Sequence, residues 1–436
     1  MQSKPNKKIL ATALALACVA PVAVFADTPN VDVYGTINAD FENVKATAAG
    51  NAALPAGIGQ IGTPGARIAA PSRNRVTSNS SNIGFRGSEV LLPGLKAIFQ
   101  IESGLNIDSA SVPGASVSNG VFASRNSNVG LSSQTYGTVF YGNWDTPYKF
   151  TTGLVDPFYA TGIASGNAFY GSPGFNVNTT TAGAPIAAAV AGSAGANASF
   201  DRRQGNSVQY WSPKLFNFTA RLGYSADEGR ANETPLAPVA NINPLIYSAA
   251  LQFEYGPFRA TYAFEQHRDY FGLVAIGGAV SSLTNRTARD NGNKVTLSYK
   301  LNTGLGATTA NVTLERLSYN NSDTVAGNLS HFDRDLIYVS VLHKIGDGTI
   351  RLGFGDARQG SCNRAGATVC STNGLDARQY AVGYSYSFSK RTDVYALYTL
   401  INNGTFANYQ LGNGATLPTG GGARNQGFGL GIRHVF

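Results

Sequence analysis

The last nine residues alternate strictly. Phe428, Leu430, Ile432, His434 and Phe436 fall on one side, and Gly429, Gly431, Arg433 and Val435 fall on the other. A period of two that runs to the final residue predicts a terminal β-strand. Left unpaired, so aromatic a strand would invite edge-to-edge association. Closure removes the edge if the last strand pairs with the first. Residues 31–41, Val31-Asp32-Val33-Tyr34-Gly35-Thr36-Ile37-Asn38-Ala39-Asp40-Phe41, carry the matching alternation. The two ends together predict a barrel.

The first residues carry Lys4, Lys7 and Lys8, then an apolar run from Ile9 to Phe25, then Val24-Phe25-Ala26 before Asp27. A basic start, an apolar middle and a small residue at the cut predict a secretory signal peptide over 1–26, leaving 27–436 as one barrel domain. A transmembrane anchor is the rival, and Pro21 and the alanine content argue against it. A lipoprotein cut before Cys18 fits poorly with Ala15-Leu16-Ala17-Cys18. No second stretch resembles a membrane helix.

Charged residues make up 13% of the chain, against about 25% in ordinary globular domains. Glycine is abundant at 51 residues, with 21 Tyr and 23 Phe. Apolar residues dispersed by alternation are how a membrane barrel escapes a hydropathy plot. An extracellular all-β adhesin would share the glycine and the leader, but with less regular aromatics. Removing the three leader lysines lowers the formal charge from +8 to +5. The remaining charge is spread out, without the basic stripe that nucleic-acid binding needs. Cys362 and Cys370 sit together in a polar loop of a secreted chain, which predicts a disulfide. With no His nearby in sequence, two thiolates make a poor zinc cage, and no metal or other cofactor is expected.

Alternating runs predict sixteen strands, near 31–44, 76–89, 95–105, 122–133, 138–145, 206–211, 218–226, 245–255, 258–268, 293–301, 307–319, 333–344, 349–357, 377–388, 392–402 and 425–436. Short links such as Pro93-Gly94, Gly256-Pro257 and Gly346-Asp347-Gly348 alternate with longer ones. Tight turns on one side and long loops on the other mark an all-β, antiparallel, up-and-down transmembrane barrel. Sixteen strands enclose an interior too wide for side chains to fill. The apolar parity (Tyr247, Ala249, Leu251, Phe253 and Tyr255, for example) is therefore expected to face lipid and the polar parity water. One connection, about 145–201, is exceptional in length, and such loops are usually functional. Its part from Ala182 to Ser199 is mostly Ala and Gly.

Ser81-Asn82-Ile83-Gly84-Phe85-Arg86-Gly87-Ser88-Glu89 and Pro93-Gly94-Leu95-Lys96-Ala97-Ile98-Phe99-Gln100-Ile101-Glu102-Ser103-Gly104 resemble a hairpin of Gram-negative general porins, above all the trimeric porins of β-proteobacteria. Val129-Gly130-Leu131-Ser132, Tyr136-Gly137-Thr138-Val139, Arg203-Gln204-Gly205-Asn206-Ser207-Val208-Gln209-Tyr210, Ser389-Lys390-Arg391-Thr392 and Gly431-Ile432-Arg433-His434-Val435-Phe436 extend the resemblance in order along the mature chain. It implies a homotrimer in the outer membrane of a Gram-negative bacterium, with the long third loop folded inward as a constriction. It also implies that Phe436 is the signal read by the outer-membrane insertion machinery. Two departures stand out: Asn82, and Asn143-Trp144 after Gly142, occupy positions where family members usually carry arginine. Strong anion selectivity is accordingly not expected.

A diffusion pore selects by radius and by charge at its narrowest point. The loop candidates are Asp145 and Asp156. The wall candidates are Arg86, Lys96, Arg203 and Arg221 by inward parity, with Arg73, Arg75 and Arg125 near strand ends where parity can break. Each could equally be a solvated rim charge. Opposed charges across the passage would set up a transverse field that favours ions and small hydrophilic solutes. His267, His331, His343 and His434 are scattered without a triad arrangement. Gly57-Ile58-Gly59-Gln60-Ile61-Gly62 has dinucleotide glycine spacing but no strand–turn–helix context. The sequence reads as a general-diffusion porin with weak anion preference. The alternatives are a substrate-selective channel of the same fold, in which Trp144 helps shape a site, and a plugged-barrel surface adhesin or antigen.

Overall fold

In a computed structural model, the described residues are 30–436 except 48–49, 51, 56, 66–68, 109–121, 160, 175–198, 227–242, 271, 274–286, 323–325, 367–368, 413–416 and 418. The expected leader, 1–26, and nearly all of the Ala/Gly stretch lie outside them.

Eighteen strand segments form a single antiparallel sheet. Two strands are each broken into two segments, which leaves sixteen barrel strands. They are β1 (Asn30–Ala46), β2 (Ala70–Ser78 and Asn82–Leu92), β3 (Leu95–Gly104), β4 (Ser127–Ser133), β5 (Gly137–Asp145), β6 (Arg203–Trp211), β7 (Phe218–Ala226), β8 (Leu245–Tyr255), β9 (Phe258–Arg268), β10 (Arg289–Thr303), β11 (Gly306–Asn320), β12 (Leu329–Ile345), β13 (Gly348–Ala357 and Ser361–Arg364), β14 (Ala377–Ser387), β15 (Thr392–Asn403) and β16 (Arg424–Val435). Each pairs with its neighbours in chain order. The ring closes where β1 meets β16, from Thr36↔Val435 to Ala46↔Asn425. The terminal residue extends the seam: Gly35 N–H donates to the Phe436 carbonyl at 3.1 Å, and Phe436 N–H returns a bond to Gly35 at 3.0 Å. A Cβ on Gly35 would lie 2.4 Å from the Phe436 ring, so glycine leaves the space in which that ring rests.

The break in β2 falls at residues 79–81, where Ser80 adopts φ 56°. Asn38 holds both sides of it, donating its N–H to Ser81 Oγ and accepting from Asn79 N–H. The predicted strand over 122–133 starts later, at Ser127, because Ala123 takes φ 70°. Conversely β10 and β12 begin several residues before the predicted positions. The added end of β10, Arg289-Asp290-Asn291-Gly292, is polar and carries no apolar alternation to reveal it. Cys362 and Cys370 form the expected disulfide, with Cα atoms 5.7 Å apart.

Burial follows parity. Leu251, Tyr262, Val295, Leu297, Leu314 and Val382 are exposed, whereas Ser248, Thr261, Lys294, Thr296, Thr313 and Gln379 are buried. An apolar exterior around a polar interior is the inverse of a soluble barrel and fits lipid outside. Aromatics cluster at the short-turn end, where Tyr136, Phe216, Tyr255 and Phe388 are exposed and placed for the membrane interface. No helix among the described residues is long and apolar enough to cross a membrane; a barrel crosses with strands.

Candidate functional site

The connection between β5 and β6 contributes helix α1 (Pro147–Gly153), started by Thr146, whose Oγ1 accepts Lys149 N–H at 3.2 Å, with proline in its first turn. Two short 3₁₀ turns follow, Gly162–Ala164 and Gly166–Ala168. This segment bonds to the polar parity of the wall. Arg259 of β9 donates to the Leu154 carbonyl at 2.8 Å and Arg351 of β13 to the Pro157 carbonyl at 3.2 Å. Ser340 of β12 donates to the Val155 carbonyl at 2.7 Å. Lys294 of β10 reaches Thr152 Oγ1 at 2.7 Å, and Tyr148 Oη donates to Glu315 of β11 at 2.9 Å. Glu315 also accepts from Gly171 N–H at 2.9 Å and faces Arg334 at 3.3 Å and Lys294 at 3.7 Å. A buried carboxylate between two buried cations is an arrangement in which every charge depends on the others. At the far end of the segment, Gly162 rests against β1, where a Cβ would come within 2.8 Å of Asp40 Oδ2.

The predicted site residues fall into three groups. Asp145, at the end of β5, lies between Lys149 at 3.1 Å and Arg203 at 3.3 Å and accepts from Asn126 at 2.9 Å. Arg75 and Arg125 sit on the inner wall too, each 2.5 Å from a carboxylate that the sequence reading did not single out, Glu42 and Glu102. Asp156 is buried and bonded within its own segment, accepting from Phe158 N–H, Ser165 Oγ and Gly166 N–H. Burial lifts its carboxyl to about 6, against the opposing pull of those donors. Arg86 lies nearer the short-turn end, 3.6 Å from Asp32 and stacked over Tyr34. Lys96, beside the Pro93-Gly94 turn, is exposed. Arg221 stacks on Phe150, 3.4 Å from its ring centre, and on Trp211 at 4.8 Å. Among the described residues, the side chains of Asn82 and Asn143, at the two departures, donate to nearby backbone carbonyls, those of Ser80 and Arg125.

Several inner-wall residues escaped the sequence reading, among them Glu42, Glu102, Lys294, Glu315, Arg334 and Arg351. All of them lie within the predicted strands, so strict parity counting would have found them. Phe140, Trp144 and Trp211 also face inward, against the rule that inward means polar.

A closed transmembrane barrel with a charged inner wall and a lipid-facing apolar exterior defines an outer-membrane channel protein. The chain belongs to the Gram-negative porin family, whose family model matches residues 11–405. It is 28% identical over 193 residues to an outer membrane porin protein of Bordetella pertussis, a match covering 43% of this chain and 42% of that protein. It is 25% identical over 427 residues to the major outer membrane protein P.IB of Neisseria lactamica, covering 97% and 98% of the two chains. Among solved structures, the anion-selective porin from Comamonas acidovorans superimposes with a TM-score of 0.65 at 20% identity, over 94% of this chain and all of that one. This last likeness establishes the fold. The protein is an outer-membrane porin.

Proposed function

We propose that this porin is a general-diffusion channel for small hydrophilic solutes and ions, with a weak preference for anions, acting as a homotrimer. On this reading the β5–β6 segment folds into the lumen and narrows it against the wall of β2 to β7. The observation that carries the reading is the set of bonds between residues 148–171 and inward-parity side chains of β9 to β13. A segment held against one side of the interior leaves the other side as the conducting face. There Arg75, Arg125 and Arg203 stand beside Glu42, Glu102 and Asp145, so basic and acidic charges offset each other pair by pair. Near-cancellation, to which the Arg86–Asp32 pair adds, predicts weak selectivity, and Lys96 and Arg221 tilt it to anions. Phe436, completing the seam, is proposed as the assembly signal for the insertion machinery.

The test is planar-bilayer conductance of the refolded protein under a salt gradient. Stable steps with closures in thirds and a small reversal potential of anion sign are expected. A strongly cation-selective current would overturn the proposed charge balance. A folded barrel without conductance would overturn the channel reading and favour a plugged surface antigen.

A further inference from the structure

Porin interiors are expected to be polar, yet this one carries an aromatic ledge on the conducting side. Phe140 and Trp144 of β5 and Trp211 of β6 meet edge to face, with ring centres 5.2 Å apart for Phe140–Trp144, 5.2 Å for Phe140–Trp211 and 5.9 Å for Trp144–Trp211. Their inward placement is built into the sheet. Phe140 lies opposite Gly130, where a Cβ would fall 2.5 Å from the Phe140 Cβ, so the glycine makes room for the ring. Trp211 Nε1 donates to Gln209 Oε1 at 3.2 Å, fixing the plane of the indole.

Two adjoining recesses open beside this ledge, of about 470 Å³ and about 370 Å³, and Thr138 and Trp211 line both. Each is in the size range of small-molecule sites. The larger is bordered by Phe140, Trp144, Arg86 and the amides of Gln100 and Asn128. The smaller is bordered by Arg221, Lys214 and the hydroxyls of Ser133 and Ser212. Of the cations here, Arg86 is opposed by Asp32 at 3.6 Å and Lys214 by Glu254 at 3.7 Å. Arg221 differs: its face is taken by Phe150 and Trp211, and its Nε is buried without an acceptor. A guanidinium stacked on its face keeps its in-plane N–H fork for a planar anion.

We propose that Trp211 and Arg221 form a solute subsite for small aromatic carboxylates, in which the solute ring packs against the indoles and its carboxylate meets the Arg221 fork. A solute would meet this subsite on the short-turn side of the narrowed zone. The proposal rests on the channel reading above and adds a preferred solute class to it.

The two tryptophans of the whole chain are Trp144 and Trp211. Intrinsic tryptophan fluorescence of the refolded protein in detergent therefore reports this ledge alone. Benzoate should change it saturably. The midpoint should lie about tenfold below that for cyclohexanecarboxylate, the difference expected from ring–ring packing. Benzyl alcohol, which keeps the ring and lacks the charge, should bind about tenfold more weakly or worse, as should benzoate to Arg221→Gln. The comparison among the three solutes needs no variant, so it stands even if Arg221→Gln fails to fold. An unsaturable change, or equal midpoints for the three solutes, would overturn the subsite. Chloride conductance of the same preparation separates the two ideas: normal conductance without benzoate discrimination sinks only the subsite, whereas no conductance sinks the channel reading beneath it.

Discussion

The inner wall of β9 to β15 and that of β2 to β7 are built on the same alternation and end in different states. In β10 and β11 the inward residues Lys294, Thr296, Ser298, Asn311, Thr313 and Glu315 are all buried, under the segment that follows β5. In β3 and β4 the inward residues Lys96, Gln100, Glu102 and Asn128 stay at least partly open. The first wall uses several of its polar groups as a scaffold: Arg259, Lys294, Glu315, Ser340 and Arg351 all bond to the loop. The second presents them to whatever passes. One period-2 pattern thus encodes both a wall that bonds to the chain itself and, on the function proposed above, a conducting surface.

The sharpest way to break that comparison is to remove Glu315, which joins Tyr148, Gly171, Lys294 and Arg334 under the loop. Glu315→Ala leaves two buried cations without this carboxylate, a loss on the order of 3–5 kcal/mol. The expected result is a lower thermal transition together with larger and noisier conductance steps, as the loop loses its hold. Unchanged steps would mean that the covered wall does not position the loop.

Much of the barrel could be read from the sequence because alternation is a local signal that the sheet preserves. Fourteen of the predicted strand positions needed only adjusted ends; the second, 76–89, is interrupted at 79–81, and the fourth, 122–133, lost its first five residues to a backbone turn. The closing of β16 on β1 was readable from the two terminal patterns. Site chemistry was harder to read, since a charge's role depends on a partner far away in sequence. Arg75 and Glu42 are 33 residues apart, and Arg125 and Glu102 are 23. Nothing near Arg75 announces which carboxylate will neutralise it. The aromatic ledge was hidden for another reason: Phe140, between Val139 and Tyr141, and Trp211, after Tyr210, interrupt the alternation, with apolar rings facing inward.

A second, smaller effect sharpens the description of the covered wall. Asp156 is held inside its segment with its carboxyl raised to about 6 by burial, against about 3.9 in an unfolded chain. Burial thus disfavours the charged carboxyl by more than its three hydrogen-bond donors favour it. The contribution of Asp156 to loop stability is complete below about pH 4 and is lost as pH rises through about 6, by on the order of 3 kcal/mol. The amides of Phe158 and Gly166, which donate to this carboxyl, report it directly. Their hydrogen-exchange protection, corrected for intrinsic base catalysis, should fall between pH 4 and pH 7 in the native protein and stay level in Asp156→Asn. The same fall in both proteins would remove Asp156 from the account.

The smallest expected effect gives the cleanest contrast between the walls. Arg125 on the open side is paired with Glu102, and Arg351 on the covered side donates to the Pro157 carbonyl. Arg125→Gln frees the Glu102 charge in the passage, so the reversal potential should move toward cations. Stability should change by about 1 kcal/mol or less, as for a partly exposed ion pair. Arg351→Gln should instead leave the sign of selectivity in place and increase current noise, because it loosens a contact to the loop backbone. The two variants remove the same charge, one just before β4 and one within β13, so a difference between them reports what each arginine faces. If both shift selectivity equally, charge count alone governs the pore and the distinction between its walls fails.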